Sequence, residues 1–100
     1  MRYRMRGLSA AEELQLDGRA QEAFVYLKDI CGTISEEEER CLWAVAGNAA
    51  LLSLALNRGR KRAFEDARQV LEGMGLSRIA ELAAQYQNRY EGGSGENWKS

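Results

Sequence analysis

Apolar positions recur along this chain with the period of an α-helix. From Ala63 to Met74 they fall at Ala63, Phe64, Ala67, Val70, Leu71 and Met74, with Glu65, Asp66, Arg68 and Glu72 opposite, the spacing that lines one helix face. Ile79, Leu82, Ala83, Tyr86 and Tyr90 repeat it from a Ser77 cap to Glu91. Ala20, Ala23, Phe24, Leu27 and Ile30 define a face over Arg19–Ile30, preceded by a short helix over Ala10–Asp17. Between Glu36 and Asn57 the residues after Arg40 are apolar on nearly every side, as a central helix wrapped by its neighbours requires. Proline is absent, and Gly18, Gly32, Gly59 and Gly75 punctuate the segments. Ser9-Ala-Ala-Glu12 and Ser35-Glu-Glu-Glu38 have the Ser-x-x-Glu form in which hydroxyl and carboxylate reciprocally satisfy the exposed amides of a helix start. Glu36 to Glu39 also lie where the positive end of the helix dipole favours negative charge. The expected fold is all-α, with about five helices in antiparallel hairpins or an irregular bundle. A basic arm over residues 1–8, one helical domain over 9–91 and a Gly/Ser-rich flexible tail over 92–100, carrying Trp98, complete the division.

One hundred residues suffice for a single core. Fourteen basic residues against 15 acidic ones give a net charge of −1, so any affinity for nucleic acid rests on local patches and not on the whole chain. No histidine is present, which excludes Ser-His and Cys-His catalysis, histidine metal ligation and a histidine pH switch. Cys31 and Cys41 adjoin apolar residues and read as small buried hydrophobes in a reducing cytoplasm; no Cys-x-x-Cys pair offers a metal site. The apolar run from Cys41 to Leu56 is short of the roughly 20 residues that span a bilayer, and no signal-peptide pattern is present. No phosphate-cradling Gly-x-x-x-x-Gly-Lys occurs, and Glu12, Glu13 and Glu36 to Glu39 are accounted for by helix starts. The expectation is a cytoplasmic, non-enzymatic protein with no cofactor, no metal and no membrane contact.

Asp17-Gly18 followed by Ala23 and Leu27 resembles the tetratricopeptide repeat, in which a glycine closes the first helix and a small alanine five residues later lets the second cross it closely. A second pair joins the helix ending at Asn57 to Phe64-Glu-Asp-Ala67, with Gly59 in the turn and Leu71 at the large apolar position. There the glycine precedes the alanine by eight residues, and Ala23 and Ala67 stand 44 apart where the family period is 34. In size the chain is similar to the tetratricopeptide-like chaperones of type III secretion. The resemblance implies an adaptor or chaperone that takes a partner helix in an apolar groove along the third and fifth helices, with Trp43, Leu52, Tyr86 and Tyr90 as anchors. The partner is then another protein, or a second copy of the chain.

Two basic clusters support a different partner. Arg58, Arg60, Lys61 and Arg62 form a loop between the third and fourth helices, and Arg2, Arg4 and Arg6 lie in the arm; either could neutralise phosphates in a nucleic-acid-associated regulator. The stretch Ala67 to Tyr86 suits a helix-turn-helix about Gly75, but Glu72 and Glu81 spoil it as a reader of bases. A small inhibitor of antitoxin type is compatible with the same fold.

Overall fold

Two capping boxes open the two long helices. The computed structural model describes residues 3–92. Ser9 accepts a hydrogen bond from the Glu12 amide while the Glu12 carboxylate reaches back to the Ser9 amide, and α1 follows over Ala10–Cys31. Ser35 and Glu38 repeat the arrangement at the start of α2, Glu36–Ala55. The two helices form an antiparallel pair, tied near its far end by Lys28 to Glu39 at 3.4 Å and by Phe24 stacked on Trp43 with ring centroids 3.9 Å apart.

No turn forms at Gly18, so the two short helices expected there are one helix of 22 residues. A glycine in a helix interior costs about 1 kcal/mol against alanine. That is too little to break a helix whose Leu16, Ala20, Ala23 and Leu27 pack onto the core. The chain turns instead at Gly32, whose φ of +74° suits glycine and whose amide donates to the Lys28 carbonyl. Ile30, expected on the core face, is exposed near this turn, as are Cys31 and Cys41. The helix pair that was to carry the tetratricopeptide resemblance at Gly18 is therefore not formed.

The second half of α2 is the centre of the molecule, with every residue from Ala49 to Ala55 buried and α1, α3 and α4 packed around it. Leu52, Leu54, Leu56, Val70 and Ile79 are its largest fully buried aliphatic side chains, each worth about 1.5–3 kcal/mol of transfer free energy. After α2 the chain does not pass through a loop but turns back as a hairpin, β2 over Leu56–Arg58 and β3 over Lys61–Arg62. A third strand, β1 over Arg4–Met5, adds to β2, giving an antiparallel sheet of order β1-β2-β3. The fold is thus mainly helical with a small sheet, not wholly α.

The next helix starts later than its apolar spacing suggests. The Ala63 amide is used by the Leu56 carbonyl at 3.0 Å, so residues 63–66 run on from the hairpin, Phe64 turns into the core, and Asp66 caps α3 over Ala67–Gly73 by accepting from the Gln69 amide. Helix α4 spans Leu76–Tyr86 with Gly75, not Ser77, at its cap and no side-chain capping bond. It continues as a π-helical turn over Gln87–Gly92, so the described chain holds four α-helices where five were expected. Of the expected tail, Gly92 ends this turn, while Trp98 and the other residues over 93–100 lie outside the described residues, as does Arg2.

Candidate nucleic-acid interface

In the arm Tyr3 and Met5 alternate with Arg4 and Arg6, and the extended chain at the end of α2 offers it a partner strand. Met5 stands opposite Leu56 and Arg4 opposite Asn57, while the Arg6 amide donates to the Ala55 carbonyl at 3.1 Å. Among the described residues the outer edge of β1 has no strand beside it. Two phenols from the C-terminal helical segment hold the arm: Tyr90 Oη donates to the Met5 carbonyl of β1 at 3.2 Å, and beyond the strand Tyr86 Oη accepts from the Leu8 amide at 2.9 Å. The Tyr90 ring lies so close to Gly7 that a Cβ there would stand 3.0 Å from Cδ1. The arm is thereby held along its length by residues about eighty positions away.

On the other side of β2, Asn57 faces Arg62 and Arg58 faces Lys61 across a two-residue turn. Gly59 has φ +67° and Arg60 does not share a positive φ, the arrangement of a type II′ hairpin turn with glycine at its first central position. All four residues from Arg58 to Lys61 are exposed. The sheet so gathers the basic residues of two segments more than fifty positions apart: Arg4 and Arg6 from the arm, Arg58, Arg60, Lys61 and Arg62 from the hairpin.

Two of these six cations are engaged internally. The Glu12 side chain, only 8% exposed, receives both terminal nitrogens of Arg6, with Nη1 at 2.8 Å, and Arg62 Nη2 at 2.9 Å, besides the Ser9 amide. The Arg6 guanidinium is the main reason the carboxyl is held well below the usual carboxylate range; burial opposes it, and the Ser9 amide, Arg62 and the Ser9 hydroxyl add to it. The same bond raises Arg6 above its ordinary value. Glu12 therefore clamps the arm and β3 to the first turn of α1. Arg4, Arg58, Arg60 and Lys61 have no carboxylate partner among the described residues. Arg58 lies over the Tyr3 ring at 5.6 Å, which orients it without neutralising it. Arg4, Met5, Arg6, Asn57, Gly59 and Arg60 line an open groove of about 340 Å³.

Comparison with family models, with curated proteins and with solved structures gave no match. The residues themselves must carry the reading.

Of the four expected protein anchors only Tyr86 and Tyr90 meet, with ring centroids 4.8 Å apart. Leu52 is fully buried in the core, Tyr86 is buried against the arm and Tyr90 is half-buried beside it. Trp43 alone is a surface residue, 41% exposed, with one ring face on Phe24 and with Glu36, Glu39 and Arg40 around it. Helices α3 and α4 do follow one another through Met74-Gly75, but Arg78 pairs with Glu81 and Arg68 with Glu72 on their exposed sides. Among the described residues no group of three acidic or cysteine side chains could hold a metal ion, and no helix is long and apolar enough to cross a membrane.

Glu12 was missed as a clamp because its place in a capping box explains it fully at the level of sequence. The hairpin was missed because strands of two or three residues are too short to show alternation. Gly59-Arg60 between Leu-Asn-Arg and Lys-Arg-Ala was the available signal, a glycine leading a two-residue loop.

Proposed function

We propose that the protein is a non-catalytic nucleic-acid-binding module whose contact surface is the basic three-stranded sheet. The observation that carries this is the joining of the arm and the hairpin into one small sheet with four cations left for an external anion, Arg4 and Arg60 lining one groove and the pair Arg58 and Lys61 belonging to the opposite face. Charge elsewhere supports it. The acidic run Glu36 to Glu39 opens the 20-residue α2 and the hairpin follows its other end, about 30 Å away at 1.5 Å per residue. A chain of net charge −1 thus presents its positive pole to a polyanion during approach.

The test is fluorescence anisotropy of a short labelled duplex DNA against salt. Four neutralised phosphates give a slope of log K on log salt of about −3.6, so affinity falls about a hundredfold between 50 and 200 mM salt. The Arg60→Ala/Lys61→Ala variant should lower the slope by about 2. Arg78→Ala, whose residue pairs with Glu81, should leave it unchanged. Absence of binding at low salt, or equal effects of the two variants, overturns the proposal.

A second reading, the protein-binding adaptor implied by the tetratricopeptide resemblance, is favoured by the exposure of Trp43 alone. An apolar contact there is nearly indifferent to salt and is lost in Trp43→Ala, which leaves the sheet untouched.

A further inference from the structure

We infer that the nucleic acid is B-form duplex DNA and that the tip of the β2–β3 hairpin, Arg58 to Lys61, enters its major groove; this rests on the sheet being the nucleic-acid surface. Three observations converge on a duplex. Beyond the Arg4–Asn57 pair, where β1 ends, the hairpin is two-stranded and closes in a two-residue turn, with Arg58, Gly59, Arg60 and Lys61 exposed at this tip. Strands about 4.8 Å apart, with a layer of side chains on each side, suit a B-form major groove about 12 Å wide, which admits such a ribbon. Gly59 contributes no side chain, and nothing lies within 4 Å of where its Cβ would be, so the leading turn is slim on the side of approach. Arg60 stands beside it, Arg58 and Lys61 flank it as a cross-strand pair, and Arg4 on β1 is placed for the backbone next to the groove.

The surface lacks what a single strand requires. Unpaired bases are held mainly by stacking on free aromatic rings. Tyr3, the aromatic residue of β1's segment, has the Phe64 ring against it at 5.5 Å and Arg58 over its face at 5.6 Å. Tyr86 and Tyr90 are turned to the arm, and Trp43 belongs to the far end of the α1–α2 pair. Among the described residues no ring stands free beside the hairpin. An A-form duplex is disfavoured as well, because its major groove is too deep and narrow for side chains to read.

The experiment compares the full chain on three labelled probes of one sequence at one salt concentration: duplex DNA, single-stranded DNA and duplex RNA. Duplex DNA should bind tightest, by about tenfold or more over either of the others, as groove entry adds contacts that backbone charge alone does not give. Equal affinity for the three, or tighter binding of single strand or RNA, overturns this inference and leaves the broader proposal standing; no binding to any probe overturns both. Gly59→Val separates shape from charge. It keeps every cation but puts a β-branched residue at φ +67°, so the preference for duplex DNA should collapse while single-strand affinity stays within about twofold. A helical far-UV spectrum and a cooperative melt verify that the rest of the fold is intact. A Gly59→Val protein that keeps the duplex preference contradicts groove entry.

Discussion

Replacing Glu12 by alanine removes the one carboxylate that ties the arm, β3 and α1 together. The side chain accepts two bonds from Arg6, one from Arg62 and one from the Ser9 amide. Breaking a fully buried ion pair costs about 3–5 kcal/mol, much of it from the partner charge left stranded. Here the partners are not stranded, since the Arg6 and Arg62 side chains are 46% and 36% exposed and recover water. The loss of the charged bonds and of the cap should therefore come to about 2–3 kcal/mol. For a domain of this size that lowers the melting midpoint by about 10–20 °C. Glu12→Gln, which keeps the shape and an acceptor for the Ser9 amide, should lose about half as much. The linkage to pH has a definite sign. Folding depresses the Glu12 pKa below its ordinary 4.5, so the unfolded chain takes up the proton first and the stabilisation is lost as pH falls. The gap between the native protein and Glu12→Gln should be full at neutral pH and shrink steadily below about pH 4.5. Thermal unfolding followed by circular dichroism measures both. A Glu12→Ala midpoint within about 2 °C of the native one at pH 7, or a gap that does not change on acidification, refutes the clamp.

Gly18→Ala should raise stability by about 0.5–1 kcal/mol, because Gly18 lies inside a helix with open space where a Cβ would go; a loss on the same substitution would mean that the chain turns there. Gly7→Val should cost about 1–3 kcal/mol and weaken DNA binding together, since its side chain would collide with the Tyr90 ring that holds the arm. Urea unfolding and anisotropy read the two effects, and a change in stability with unaltered binding would show that the arm's position does not matter to the ligand.

The parts of the fold legible in the sequence were those fixed by local chemistry. Ser9 and Ser35 announce the two long helices through bonds made within four residues, and the nearly continuous apolar character after Arg40, interrupted by Asn48 and Ser53, marks α2 as the central helix. Where a residue had two uses, the distant one won and could not be read. Ala63 continues a helical spacing, yet its amide serves the hairpin; Tyr86 and Tyr90 continue another, yet their hydroxyls serve the arm, 78 and 85 residues away. Gly18 looks like punctuation but is only a mild helix penalty, whereas the positive φ that marks a real turn is found at Gly32 and Gly59. The candidate site was half legible. Both basic clusters stand out in the chain, but nothing local says that they meet, or that Glu12 withdraws two of their cations.

That meeting is open to direct observation. In the pairing found here Met5 and Leu56 are opposed without exchanging hydrogen bonds, as are Asn57 and Arg62, and such pairs bring their Cα atoms to about 4.5 Å. Nuclear magnetic resonance of the free protein should show strong Hα–Hα contacts for both pairs. Intense contacts within the hairpin with none from Met5 to Leu56, and arm resonances at unstructured positions, would contradict the joined basic sheet on which the account rests.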